Sequence, residues 1–280
     1  MIPSCEYFVD NLYAKLLSFQ IQDPARKTRG FFSKKKSPHS TLTAHPISTM
    51  PLPLIFSCEH ATCAVPEAFK EALAKDMDTI TSAAGWDLGS LNLAQGMAMK
   101  FRTPLVHCEI TRLIIDCYAQ QNDPTCWSEL SQKLSQTQRE KLVERQLLPH
   151  LNTLRQRISN ELERSPRVLH ISVHTFDPLA HPHTDVSLLF SEGKVGESTV
   201  ALDWMKTLQE VMPELRIVPN VKFYPDQSKK LLDTLRSDWS SEQYLAIELQ
   251  VSNQLFLENK PVRWDKLKVA LIDSLKAVIY

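Results

Sequence analysis

The stretch RVLHISVHTFDP, residues 167–178, sets the architecture. Val168 to Val173 reads as a core strand, and His174 stands at its end. Working outward, Leu54-Ile55-Phe56 is a second apolar run, and it gives way to Ser57, Glu59 and His60. That is the pattern of a buried strand opening into a loop. Val186 to Phe190 and Tyr244 to Val251 are further strands. Pro104 to Cys108, Leu113 to Cys117 and Leu215 to Val218 are shorter candidates. Between them lie helical patterns. Pro66-Glu67 suits a helix start. Leu91, Leu93, Ala94, Met97, Ala98 and Phe101 recur at helical spacing. Ser135 to Arg164 is long, charged and helical, broken or entered at Pro149. Thr199 to Val211, Lys229 to Arg236 and Trp264 to Val278 complete the set. Strands alternating with helical crossovers predict an α/β fold: a mostly parallel central sheet flanked by helices.

The bulk numbers exclude more than they identify. The 280 residues are 43% hydrophobic and 23% charged, ordinary for a globular protein. Lys+Arg and Asp+Glu are both 32. No net field draws the chain to nucleic acid or to an anionic membrane, so neither is an expected partner. No apolar stretch approaches the roughly 20 residues of a membrane helix. The six cysteines form no CxxC. Several sit in apolar runs, which suggests free thiols in a reducing, cytoplasmic setting. Residues 1–49 differ from the rest. Arg26 to Lys36 holds six basic residues and no acid, followed by a polar Ser/Thr/Pro stretch. Such a segment is expected to be a disordered extension ahead of one domain over residues 50–280. A targeting arm and a true start at Met50 are the other readings.

Ionisable residues recur at the strand ends. Glu59 and His60 follow the first strand, Arg112 and Asp116 flank Leu113-Ile114-Ile115, and His174 ends the central run. Glu248 lies inside the apolar segment Leu245 to Leu249. Sites in open α/β sheets form beyond the carboxyl ends of strands. A carboxylate in an apolar strand needs a partner charge or a metal. Two histidines and one carboxylate make a common catalytic zinc shell, and a second carboxylate can serve as base. Each residue also has a plainer explanation. A lone strand-end histidine can be structural, Asp87 can cap the helix after it, and Arg112 can pair with Asp116.

Six segments together go further: FSCEHATCAVP (56–66), GWDLGSLNLA (85–94), ITRLIIDC (110–117), RVLHISVHTFDP (167–178), DVSLLF (185–190) and AIELQVSNQ (246–254). Their order and wording resemble the N-formylglutamate amidohydrolase family, a relative of the zinc carboxypeptidases and aspartoacylases. The resemblance implies a zinc-exopeptidase-like fold and one zinc ion held by His60, Asp87 and His174. It implies Glu248 as general base. Arg112 would polarise the scissile carbonyl or hold a substrate carboxylate. Tyr118 and Tyr224 would line the substrate pocket. Cys63, three residues after His60, competes with Asp87 for the ligand position.

The departures fall on the substrate side. The family continues its arginine strand with Asn-Arg, whereas this chain has Tyr118-Ala119. Ala83 stands where relatives often carry histidine, and His181 and His183 replace a more basic or amide-rich segment. The expected reaction is metal-dependent hydrolysis of an N-formyl or N-acyl amino acid, a small-molecule substrate. A carboxypeptidase-like or peptidoglycan-fragment hydrolase with the same metal centre is the enzymatic alternative. A catalytically inactive metal-binding relative is the non-enzymatic one.

Overall fold

The computed structural model describes residues 52–121, 123–223, 230–257 and 261–280. The expected extension over residues 1–49, Met50 and Tyr224 lie outside these residues. Strand β1 (Leu54–Cys58) is followed by the short helices α1 (Glu67–Lys70) and α2 (Met77–Thr81). Then come α3 (Ser90–Phe101), β2 (Leu105–His107), α4 (Gln136–Leu142) and α5 (Leu148–Leu162). Strands β3 (Val168–Phe176) and β4 (Val186–Leu189), helices α6 (Val195–Val211) and α7 (Leu231–Asp238), and strand β5 (Tyr244–Ser252) follow. Helices α8 (Gln254–Leu257) and α9 (Pro261–Ile279) close the chain.

The five strands form one sheet in the order β2-β1-β3-β5-β4. All neighbours are parallel except β4 and β5, which are antiparallel. The sheet is therefore mixed and mostly parallel, as the alternation of elements predicted. Its centre is β3, buried at all nine positions. Helices α3, α6 and α9 pack on one another and on the sheet, and α5 and α7 cover β2, β3 and β5 as a second group. Parallel strands buried on both faces read as near-continuous apolar runs, which is why β1, β3 and β5 stand out in the sequence.

Two expectations need correction. Residues Leu113 to Cys117 form a turn and loop, not a strand. The carbonyls of Leu113 and Ile114 accept hydrogen bonds from the Ser131 hydroxyl at 3.0 and 2.7 Å. Ile114 and Ile115 meanwhile pack into a satellite core with Ile80, Leu134 and Leu142. Burial alone makes the run apolar, and side-chain hydroxyls replace the sheet as partners for its backbone. Leu215 to Val218 contributes only an isolated bridge between Ile217 and Val186. At Pro149 the sequence left a break or a helix entry open, and the structure has the entry. A five-residue π-turn, Val143–Leu147, joins α4 to α5, and Pro149 sits in the first turn of α5.

Candidate metal centre

The centre gathers at the carboxyl ends of β1 and β3. His60 lies in the turn just beyond β1 and is 1% exposed. Its carbonyl accepts the Asp87 N–H at 3.0 Å, which ties the two loops together. Asp87 enters α3 through Gly89, whose φ of +90° suits glycine alone. The Asp87 side chain does not cap that helix. Its backbone carbonyl takes the Ser90 N–H and hydroxyl, and its carboxylate is free to turn inward. His174 lies inside β3, which runs three residues past the end expected from the apolar pattern.

These side chains converge. Asp87 Oδ2 is 2.8 Å from His174 Nδ1 and 3.3 Å from His60 Nδ1. One donor atom from each of the three residues lies within 4.8 Å of the others, and all three residues are buried. Arg112 donates to Asp87 Oδ1 at 2.7 Å and to His60 Nδ1 at 3.1 Å. The rest of its guanidinium is held by the carbonyls of Ala84 at 2.8 Å and Ala83 at 2.5 Å. Arg112 therefore pairs with Asp87 rather than with Asp116. Asp116 instead faces His60, its Oδ1 lying 2.8 Å from Nε2. Cys63 is absent from the group and packs against the satellite core.

The electrostatics follow from burial and partners. Burial pushes the Asp87 carboxyl upward, but the charges of His60 and Arg112 outweigh it and hold it well below the usual carboxylate range. Burial pulls His174 down, yet its bonds to Asp87 and Glu59 raise it to about 10. Burial likewise opposes the His60 imidazolium, and Asp116 and Asp87 reverse that. The Arg112 contact acts against a second proton on His60, because a guanidinium can only donate. Two imidazoles and a carboxylate, converging with donor atoms inward, are the donor set of an open divalent-metal site. The residues present fit such an ion.

Beside the centre, Tyr118 stacks its ring 4.7 Å from that of His174 and donates its hydroxyl to Glu248 Oε2. Glu248 Oε1 accepts from Gln250 Nε2 at 2.7 Å, and Lys230 Nζ lies 3.9 Å from Oε2. Tyr118, Glu248 and Lys230 line a cavity of about 390 Å³. A smaller cavity of about 200 Å³ opens onto Asp87 and Arg112, walled by Trp86, His181, Phe223 and Asn253. Phe223 borders both. Asn253 Oδ1 is buried without a hydrogen-bond partner among the described residues. His181 is half-buried in this wall, and His183 is exposed.

A sequence model of N-formylglutamate amidohydrolase matches residues 52–256. The chain belongs to this family. Its members are amidohydrolases, enzymes that cleave amide bonds with water. No curated protein matches the chain in sequence. Among solved structures, a gene product of Agrobacterium tumefaciens aligns with a TM-score of 0.66 at 21% identity, covering 81% of this chain and 90% of that one. The N-formylglutamate amidohydrolase of Ralstonia eutropha aligns with a TM-score of 0.62 at 15% identity, covering 82% and 95%. At these identities the two structures establish a shared fold.

The sequence placed Glu59 and Asp116 at strand ends without a role, and it did not single out His150 or Ser172. Glu59, Asp116, His150 and Ser172 all touch the histidines or one another. One signal was available. His170, Ser172 and His174 share one face of β3 by strand alternation, as Tyr244, Ala246, Glu248 and Gln250 do on β5. A polar stripe on an otherwise apolar strand pair marks a site.

Proposed function

We propose that this chain hydrolyses the amide bond of an N-formyl or N-acyl amino acid, with one zinc ion held by His60, Asp87 and His174. The convergence of those three buried side chains from three separate segments carries the reading. When bound there, zinc would polarise the scissile carbonyl and bring the pKa of a water toward neutrality. Glu248 is the carboxylate assigned to take the proton of the attacking water and return it to the leaving amine. Its Oε1 is steadied by Gln250 and its Oε2 by Tyr118. Arg112 holds Asp87 in place and brings positive charge to the cavity where oxyanion charge would develop. Asn253 Oδ1 offers an acceptor to a substrate N–H, and Lys230 a cation to a substrate carboxylate.

One observation favours a second reading. Tyr118 stands between His174 and Glu248 and occupies the carboxylate with its hydroxyl. A metal-binding relative without turnover would keep that bond permanently. The free thiols of Cys58, Cys63, Cys108, Cys117 and Cys126 support a reducing compartment, the cytoplasm. No helix among the described residues is long and apolar enough to cross a membrane.

Metal content and turnover test the proposal. Wild type should carry about one zinc per chain, and His174→Ala should lose it together with hydrolysis of N-formylglutamate and related N-acyl amino acids. Zinc without turnover of any of these would favour the binding relative. No zinc after reconstitution would end the metal reading.

A further inference from the structure

We infer that Glu59, with Ser172 beside it and His150 behind it, is a positioning residue that sets the ring and tautomer of His174. The inference rests on the metal-site reading above. Glu59 follows β1 and is 1% exposed. Its Oε2 accepts the Ser172 hydroxyl at 2.7 Å and lies 3.4 Å from His174 Nε2. Ser172 Oγ is in turn 2.9 Å from the same nitrogen. On the other side, Glu59 Oε1 is 3.2 Å from His150 Nε2, on α5. The carboxylate thus joins the loop after β1, strand β3 and helix α5.

The chemistry of the groups fixes the proton. An ionised carboxylate only accepts, and the Ser172 hydroxyl donates its one proton to Glu59. His174 Nε2 must therefore carry the hydrogen that Ser172 Oγ receives. Nδ1 is the nitrogen that faces Asp87, and its lone pair is the one a bound metal would take in exchange for the proton there. The same arrangement occurs at His60, where Nε2 faces Asp116 at 2.8 Å and Nδ1 faces Asp87. Both imidazoles present one edge inward to Asp87 and the other outward to an acid, Glu59 fully buried and Asp116 partly so. His150 extends the Glu59 arm to a separate cavity of about 310 Å³, walled by His107, Glu109 and Arg145. The centre is thereby connected by hydrogen bonds to a second opening in the molecule.

A purely structural Glu59 would make folding depend on its charge but leave metal affinity in the folded protein unchanged. Zinc affinity, measured on the full chain by competition with a chromophoric chelator, separates the two. Glu59→Gln should bind zinc about 10- to 100-fold more weakly than wild type. Ser172→Ala should show a smaller loss in the same direction. Folded variants with wild-type affinity would overturn the inference and leave the metal site standing. A wild type that binds no zinc would overturn both. If Glu59→Gln fails to fold, Ser172→Ala decides the matter by the same measurement.

Discussion

At the scale of single residues, Tyr118 decides how the two halves of the site communicate. Its ring meets both histidines, with centroids 4.7 Å from His174 and 6.0 Å from His60. Its hydroxyl meets the proposed base. Glu248 is 2% exposed and meets water only through the cavity it lines, so water replaces a lost donor only in part. Removing one partner of a buried hydrogen bond leaves the other to bear its desolvation, at about 1–3 kcal/mol. Tyr118→Phe should therefore unfold at lower denaturant concentration while keeping its zinc stoichiometry. Its kcat should fall if the hydroxyl steadies the base. A variant as stable as wild type would show that Glu248 finds its partner elsewhere.

At the scale of elements, the central strand pair carries a consequence for pH. His170 lies on β3 between Ser57 Oγ at 2.8 Å and the Tyr244 hydroxyl at 2.7 Å. Burial lowers its pKa from 6.5 to about 4. Between those values the unfolded chain binds a proton that the folded chain refuses. Stability due to neutral His170 is complete above 6.5 and is lost as pH falls toward 4, about 3 kcal/mol for such a shift. Denaturation midpoints measured across this window should fall with acidification, and His170→Gln should flatten that slope.

The same elements show what the sequence could tell. Strands β1, β3 and β5 were legible because strands buried on both faces cannot hide their apolar runs. Leu113 to Cys117 was equally apolar and misled, because such a run does not say whether a sheet or a satellite core covers it. His60 and His174 stood out at strand ends, and Asp87 could be named only from the resemblance. Glu59 and Asp116 were visible there too, but not what they touch. Glu59 meets His150 across 91 positions of sequence and Ser172 across 113, separations on which local patterning is silent.

At the scale of the whole molecule, one buried ion pair binds the layers. Glu197 on α6 is fully buried and meets Arg236 on α7 at 3.0 Å through each oxygen. The same carboxylate accepts the N–H of Ala246 on β5 at 3.2 Å and of Ser191, after β4, at 2.9 Å. Glu197→Gln would leave the guanidinium only the exposed carboxylate of Asp233, 3.1 Å from its Nη1, as counter-charge. Breaking such a pair from one side costs about 3–5 kcal/mol. A large drop in thermal midpoint with unchanged zinc content is expected. A drop within the scatter of surface variants would mean that Asp233 and water suffice to hold Arg236.

Strand β3 is bonded to β5 along its full length and to β1 over four residues. In deuterium, amides of such a strand exchange only when the whole domain opens. The His174 N–H should therefore be among the last signals to fade, with or without metal. An ion arriving at the proposed centre would meet a ligand already held in its final place, and its rate of capture would be set by passage past the loops of Asp87 and Arg112.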